Sequence, residues 1–175
     1  SEGRSIALAN SVSTLRQLPL ATATNLRNSL AALGEVMDVE DDLLVLYLTS
    51  HGTPQHQLTV EMPPMRLAEI TPDTLASMLA ASAVKWKVII ISACYAGGYI
   101  EALRELAFEE GAESTCFVAL TYILEPSILG EQKSKAAQLG IKRLMEAGVQ
   151  PQLIACRAKN PVNDKVMQKI AMFSN

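Results

Sequence analysis

Two kinds of apolar pattern alternate along the chain. Short, nearly continuous apolar runs are typical of strands buried in parallel sheets, and apolar residues about three or four apart are typical of amphipathic helices. The short runs predict strands at 43–50, 88–93, 116–123 and 151–157, with a weaker candidate at 5–10. The helical spacing predicts helices at 22–37, 71–79, 131–147 and 161–173, and one from residue 100 that Gly111 ends.

This alternation predicts an α/β fold, in which a mostly parallel sheet carries helices on both faces. We expect a Rossmann-like, three-layer α/β/α sandwich. No repeat, linker or low-complexity segment interrupts the pattern, so residues 1–175 are predicted to form a single domain. Sheet edges that lack a partner strand would favour a homodimer.

Composition narrows the classes of protein that this sequence can encode. With 49% apolar and 19% charged residues, the sequence is typical of a globular chain. The net charge of −3 argues against a nucleic-acid partner, and polar residues interrupt every apolar run too early for a membrane span. Three cysteines without a CxxC spacing favour neither a disulfide framework nor a metal site. We therefore expect a cytoplasmic protein without a leader peptide, metal or cofactor.

The two strongest predicted strands each end at a residue with reactive chemistry. His51 follows the run 43–50, and Cys94 follows the run 88–93 and precedes the turn Gly97-Gly98. If these strands are neighbours in a parallel sheet, about 4.8 Å apart, the two side chains lie at the same sheet edge. A nearby imidazole lowers the pKa of a thiol and accepts its proton. The pair therefore predicts a cysteine nucleophile with a histidine base.

The same residues have a plainer interpretation. Cys94 could be a small core residue and His51 a turn residue, and their spacing alone does not decide between the two. His56 is interpreted as a solvated loop residue. Cys116 and Cys156 lie within predicted strands and are expected to be inert core residues.

The residues around the first pair resemble a known family. They are similar to the bacterial legumain-type cysteine peptidases, family C13 of the caspase-like clan, in the pieces SHG, ITPDTLASML and SACYAGG. The resemblance covers about residues 3–103. It implies a caspase-like fold, with His51 as the catalytic histidine and Cys94 as the nucleophile. It also implies that Gly52 lies in the turn that supplies an oxyanion-hole amide.

The second part of the chain resembles a different family. From about residue 100 to the end it is similar to the amino-terminal amidoligase domain of CTP synthase, in the pieces YIEALRELAFEEG, CFVALTYI and GEQKSKAAQLGIKRLMEAGVQPQLIACRAKNPV. This resemblance implies that Lys133, Lys135 and Gln138 hold the triphosphate in a pyrimidine-nucleotide site. Lysines before a helix suit phosphate through their charge and the free helix N–H groups. The alternative interpretation is that these lysines are solvated residues at the start of a helix and bind no ligand.

The two resemblances meet at the segment IEALRE. We therefore predict an engineered hybrid that joins a peptidase-type segment, 1–103, to a CTP-synthase-type segment, 100–175. No selected activity is expected, and the His51–Cys94 dyad is expected to be idle. The alternatives are a natural fusion, a cysteine hydrolase that uses the dyad, and residual nucleotide binding at 133–138.

Overall fold

The computed structural model describes residues 5–93, 96–111, 116–126 and 130–174. The chain divides into two compact units, Ser1–Glu110 and Gly111–Asn175. Each unit has its own parallel strand pair and its own apolar core. The prediction of a single domain over the whole chain stays a prediction.

Both units are built from parallel strand pairs and helices, which confirms the predicted α/β class. The strands are β1 (Leu43–Thr49), β2 (Glu61–Met62), β3 (Met65–Arg66), β4 (Trp86–Ser92), β5 (Val118–Tyr122) and β6 (Leu153–Arg157). The helices are α1 (Ala23–Val36), α2 (Pro72–Ala81), α3 (Tyr99–Glu110), α4 (Lys135–Glu146) and α5 (Asp164–Phe173). A short 3-10 turn, Ala96–Gly98, leads into α3, and β2 with β3 forms a small antiparallel hairpin.

Polar side chains cap three of these helices, two of them where the sequence predicts a start, whereas α5 begins at Asp164 and not at residue 161. Thr22, Thr71 and Asn163 each accept a hydrogen bond from a backbone N–H in the first turn of α1, α2 and α5, at 3.0 to 3.2 Å. Pro72 stands at the beginning of α2, where a missing N–H costs nothing. These caps satisfy donors that a helix leaves unpaired at its start.

In the first unit, β1 and β4 are parallel neighbours, paired from Leu43 opposite Trp86 to Thr49 opposite Ser92. One face of the pair packs against the helices through the buried residues Leu26, Leu30, Leu44, Leu75, Met78, Leu79 and Tyr99. The other face is apolar and exposed, with Leu43, Val45, Tyr47, Trp86 and Val88 at its surface. The two strongest predicted strands are thus neighbours in one sheet.

In the second unit, β5 and β6 are parallel and paired from Val118 opposite Leu153 to Tyr122 opposite Arg157. Residues of α4 and α5 cover one face, where the buried core consists of Ile123, Ala137, Ile141, Val166 and Ile170. The opposite face exposes Val118, Leu120, Tyr122 and Leu153. Within each unit the described helices cover one face of the strand pair, and the three-layer arrangement of the whole chain stays a prediction.

Residues 5–10, predicted as a weak strand, form an irregular segment instead. The side chain of Asn10 accepts a hydrogen bond from the N–H of Ala21 at 2.8 Å and donates to the carbonyl of Ala21 at 3.0 Å. The N–H of Ala9 donates to the carbonyl of Pro19 at 3.0 Å. These bonds close a loop ahead of α1, so backbone groups that a strand would need are used within the loop.

Helix α4 begins at Lys135, and not at residue 131 as predicted. The backbone N–H of Lys133 donates to the carbonyl of Leu124 at 2.7 Å in an isolated antiparallel bridge. This bridge requires an extended chain at Lys133, and the helix therefore starts after it. Lys133 precedes the helix, and Lys135 is its first residue.

Candidate functional site

The carboxyl ends of β1 and β4 carry the first predicted site. The pairing continues past the last strand residues through a hydrogen bond from the N–H of Ser50 to the carbonyl of Ser92, at 3.3 Å. His51 follows directly, and its side chain is exposed. Cys94, the predicted nucleophile, lies outside the described residues. The dyad therefore stays a prediction, and the residues on either side of Cys94 supply the structural observations.

The segment 50–59, which we call the His51 loop, holds the backbone of His51 in place. The carbonyl of His51 accepts a hydrogen bond from the N–H of Thr59 at 2.9 Å, and the hydroxyl of Ser50 donates to the carbonyl of Thr59 at 2.5 Å. Gly52 forms an antiparallel bridge with Leu58, so the loop closes on itself. Gly52 lies at the start of this closed loop, and its role as an oxyanion amide stays a prediction.

His56 packs against the turn that follows Cys94 in the sequence. A Cβ built on Gly98 would lie 2.0 Å from Cγ of His56 and 2.5 Å from its Nδ1. His56 itself has a left-handed backbone, with φ of 59°. The side chain is exposed overall, as predicted, but its imidazole also contacts Gly98. Sequence reasoning missed this contact, although the double glycine is a signal of close approach.

Tyr99 contacts the His51 loop at a second point. Its side chain is 2% exposed at the start of α3. Its hydroxyl accepts a hydrogen bond from the backbone N–H of Leu58 at 3.1 Å and donates to the carbonyl of Ile70. Burial raises the pKa of Tyr99, and the hydrogen bond from Leu58 acts in the opposite direction. No spacing or motif indicates this role, because a tyrosine at an apolar helix position is typical of a core residue.

The other two cysteines differ from each other. Cys116 is exposed, so its prediction as a core residue is wrong, because β5 begins only at Val118 and Cys116 lies before it. Cys156 is half-buried in β6 and packs against the core of the second unit, as expected. Burial raises the pKa of the Cys156 thiol, which makes it a weaker nucleophile at neutral pH.

A cleft of about 1000 Å³ lies beside the start of α4, and we call it the Lys133 cleft. It is lined by all three residues predicted for a nucleotide site, Lys133, Lys135 and Gln138. Lys165 and Lys169 of α5 also line it, on one face of that helix. These two lysines were missed, although their spacing of one helical turn could have indicated a shared face.

Positive charge dominates the Lys133 cleft. The ammonium group of Lys133 lies 2.8 Å from the carboxylate of Glu131. This hydrogen bond holds the pKa of Glu131 below its ordinary value, and the charges of Lys133, Lys165 and Lys169 act in the same direction. Among the described residues, the cleft has four lysines against two glutamates, Glu125 and Glu131. Such a group of ammonium donors is suited to phosphate oxygens.

Glu125 adds an acceptor to the wall of the Lys133 cleft. Its Oε1 accepts a hydrogen bond from the side-chain amide of Asn160 at 2.8 Å. Its Oε2 is buried and has no hydrogen-bond partner among the residues that the structure describes. A buried acceptor without a donor is unfavourable, so this oxygen is suited to a donor group on a bound molecule.

The described part of the chain thus contains two candidate sites, the His51 loop and the Lys133 cleft. Within that part, no three His, Cys, Asp or Glu side chains are grouped as a metal ion would require. None of the helices described combines the length and the apolar character needed to cross a bilayer.

Two family models match the chain in different segments. The model of the peptidase C13 family matches residues 24–108, which contain the His51 loop, Cys94 and most of α3. The model of the CTP synthase N-terminus matches residues 90–175, which contain the whole Lys133 cleft. Residues 90–108 are common to both matches.

Curated relatives of the chain include several CTP synthases. CTP synthase from Thermococcus kodakarensis is 39% identical over 77 residues, and the enzymes from Hydrogenobaculum sp. and Methanopyrus kandleri are 43% and 42% identical over the same length. Each match covers 44% of this chain and 14% of the relative. The chain is therefore similar to the peptidase C13 family in its first part and to the CTP synthase N-terminus in its second.

Proposed function

We propose that the chain is an engineered hybrid of a peptidase C13 segment and a CTP synthase segment, in which the His51–Cys94 dyad is assembled but has no selected activity. In such a dyad the imidazole takes the thiol proton, and the thiolate can then attack an electrophilic carbon. By idle we mean that a reactive thiolate forms but peptides are not turned over.

One observation supports the assembled dyad: residues on both sides of Cys94 contact the His51 loop. Ser92 comes before Cys94 and accepts a hydrogen bond from this loop. Gly98 and Tyr99 come after Cys94, and each contacts the same loop. Residues before and after Cys94 in the sequence are thus held against the loop that carries His51, and this supports the proposal.

The expected lack of turnover rests on positioning. A substrate must be held against the nucleophile, and a displacement of about 1 Å can cost about 100-fold in rate. The peptidase C13 match ends at residue 108, within α3. The family resemblance implies that further strands and loops build the peptide pocket beyond that point. Here the chain continues with the CTP synthase segment instead.

The shared segment supports the hybrid origin. Residues 90–108 match both family models, and this stretch covers the end of β4 and most of α3. Both families are α/β proteins by resemblance, so a strand and helix of one can precede the strands of the other without a new architecture. A natural fusion at the same helix is the alternative origin.

Alkylation by iodoacetamide, measured against pH and located by peptide mapping, tests the assembled dyad. A thiolate stabilised by an imidazole reacts at lower pH than free cysteine, whose pKa is about 8.5. We expect an acid-shifted profile at Cys94 in the native chain and its reversion in His51→Ala. The exposed Cys116 is the internal reference in every sample.

Three outcomes would contradict the proposal. A profile at Cys94 like that of free cysteine, unchanged in His51→Ala, would mean that the dyad is not assembled. Reversion in His56→Ala and not in His51→Ala would assign the base to the other histidine. Turnover of peptides with Asn or Asp before the scissile bond, lost in Cys94→Ala, would mean that the dyad is not idle and would favour a cysteine hydrolase.

The Lys133 cleft supports a second candidate function, and we propose that it binds the phosphates of a pyrimidine nucleoside triphosphate. The resemblance to CTP synthase implies this ligand for Lys133, Lys135 and Gln138. Lys165 and Lys169 would add two further cations to the phosphate contacts. The buried Oε2 of Glu125 would accept a hydrogen bond from a ribose hydroxyl or an amino group.

Thermal unfolding with and without UTP or CTP tests this second candidate. A ligand that binds only the folded chain raises Tm, and we expect a rise of about 3 °C at saturating nucleotide. Lys135→Gln should abolish most of that rise. Lys142→Gln is the matched control, since Lys142 is an exposed lysine of the same helix, paired with Glu146 and outside the cleft. An unchanged Tm with both nucleotides would contradict nucleotide binding.

A further inference from the structure

We propose that Gln132 is a positioning residue of the Lys133 cleft. Its side-chain amide joins the segment ahead of α4 to the segment ahead of α5, and so holds the lysines that follow the two segments around one cleft. This inference rests on the second candidate function, because it concerns the phosphate-binding lysines of the same cleft. It adds a residue that acts through other groups and not by contact with the ligand.

The side-chain amide of Gln132 uses its whole hydrogen-bonding capacity on the segment ahead of α5. Its Nε2 donates to the carbonyl of Pro161 at 2.9 Å and, at a longer 3.4 Å, to the carbonyl of Asn160. Its Oε1 accepts from the backbone N–H of Asn163 at 2.9 Å and from the Nδ2 of Asn163 at 3.1 Å. A carboxamide has two N–H donors and an oxygen with two lone pairs. Gln132 therefore lines the cleft while its polar atoms are all engaged with the protein.

One side of this connection carries Lys133 and Lys135. Lys133 follows Gln132 directly in the sequence, and its backbone N–H donates to the carbonyl of Leu124 at 2.7 Å. Lys135 is the first residue of α4. The chain ahead of α4 is therefore fixed at two neighbouring residues, by the amide of Gln132 and by the bridge from Lys133 to Leu124.

The other side of the connection carries Lys165 and Lys169, which lie one helical turn apart on α5. The side chain of Asn163 caps this helix, since its Oδ1 accepts a hydrogen bond from the N–H of Val166 at 3.0 Å. The Nδ2 of the same side chain donates to Gln132, so the helix cap and the connection share one residue. Gln132 is thus joined to the first turn of the helix that bears both lysines.

Lysines from both sides of the connection act on the same carboxylate. Glu131 accepts a hydrogen bond from Lys133 at 2.8 Å, and this bond lowers the pKa of Glu131 most. The charges of Lys165 and Lys169 lower it further. Ammonium groups repel one another, so hydrogen bonds that hold their segments together reduce the ordering that a ligand must cause when it binds. A triphosphate can contact lysines of both segments at once, and it should depend on this spacing more than a monophosphate does.

Gln132→Ala tests this role, because it removes the whole amide. The readout is the Kd of UTP and the Kd of UMP for the full chain, measured by calorimetric titration at a fixed salt concentration. We expect the Kd of UTP to rise about tenfold, as for the loss of one or two hydrogen bonds, and the Kd of UMP only about twofold. Gln152→Ala is the matched control. The Oε1 of Gln152 accepts from the N–H of Phe117 at 2.6 Å and Gln152 does not line the cleft, so both Kd values should stay unchanged.

Asn163→Ser weakens the same connection from its other end. Serine keeps a side-chain oxygen that can cap α5, but it has no Nδ2 to donate to Gln132. Because the backbone N–H at residue 163 still donates to Gln132, we expect a smaller change of the same sign, about threefold in the Kd of UTP. This variant decides the question if Gln132→Ala does not unfold cooperatively.

The outcomes separate this inference from the candidate function. If the native chain binds neither nucleotide, nucleotide binding itself is wrong and the inference fails with it. If Lys135→Gln weakens UTP binding but Gln132→Ala and Asn163→Ser do not, the cleft binds nucleotide and Gln132 has no positioning role. An equal weakening of UTP and UMP binding in Gln132→Ala would also overturn the inference, as would the same weakening in Gln152→Ala. Either result would indicate a general loss of stability and not a change in how the lysines are held.

Discussion

Gly98 and His56 lie so close together that no side chain larger than hydrogen fits between them. A Cβ on Gly98 would stand 2.0 Å from Cγ of His56, far inside any normal contact. The glycine belongs to the turn after Cys94, and the histidine belongs to the His51 loop. This contact therefore depends on both loops keeping their positions at the end of the β1–β4 pair.

Gly98→Ala should lower the free energy of unfolding by about 1 to 3 kcal/mol, because one of the two loops must move to admit the methyl group. Denaturant unfolding measures this change. Gly97→Ala is the control, since among the described residues its Cβ would meet only Ile100, at an ordinary 3.8 Å. His56→Gly removes the imidazole and suits the left-handed backbone at residue 56. In that background, Gly98→Ala should lower the free energy of unfolding only slightly. An equal cost in both backgrounds would show that His56 is not the obstacle.

Replacement of two other glycines by alanine should change the free energy of unfolding in opposite directions. Gly34 of α1 lies against the end of α2, where an added Cβ would stand 2.3 Å from the carbonyl oxygen of Ser82. Gly34→Ala should therefore destabilise the chain by about 1 to 3 kcal/mol. At Gly140 in α4 no described residue lies near the added Cβ, so Gly140→Ala should stabilise the chain by about 0.5 to 1 kcal/mol, because alanine favours helix. Denaturant unfolding would contradict this account if both changes had the same sign.

Cys156 should react with iodoacetamide more slowly than Cys116 in the folded chain. Burial raises the pKa of Cys156, so at a given pH below that value a smaller fraction is thiolate. Its rate should therefore rise at higher pH than that of free cysteine. In denaturant the two sites should react alike, since unfolding removes the burial. If Cys156 reacted faster than the exposed Cys116 in the native chain, burial would not be what limits the reactivity of the Cys156 thiol.

Binding at the Lys133 cleft should depend on the number of phosphates. If the lysines hold the phosphates, the rise in Tm should fall from UTP to UDP to UMP, and should shrink as salt screens the ammonium groups. Lys165→Gln and Lys169→Gln should each reduce the rise in Tm with UTP more than the rise with UMP. A rise in Tm that is the same for uridine and UTP would mean that the lysines do not contact the ligand.

The local elements were predicted well from the sequence, because their signals are local. Helix α1 was predicted at 22–37 and runs over Ala23–Val36, with Thr22 as its cap. The segment 5–10 was predicted wrongly, because its backbone bonds go to residues 19 and 21, which no local pattern shows. The start of α4 was likewise displaced by the bridge from Lys133 to Leu124, a contact between separate segments.

The candidate site residues follow from local signals, and their surroundings do not. His51 is predicted from its place after an apolar strand, and Lys133 from a family motif; both roles stay predictions. The contacts of Tyr99 and His56 depend on how the His51 loop folds back onto α3, and this packing leaves no regular spacing in the sequence. Lys169 reaches the same cleft as Lys133 only because α5 packs beside α4.

The most direct test of the account is the pH profile of alkylation at Cys94, compared between the native chain and His51→Ala. The assembled dyad predicts a profile that lies about one pH unit or more below that of free cysteine in the native chain and returns to it in the variant. A profile like that of free cysteine in both chains would contradict the account. The first unit would then be similar to the peptidase C13 family in sequence without an assembled dyad.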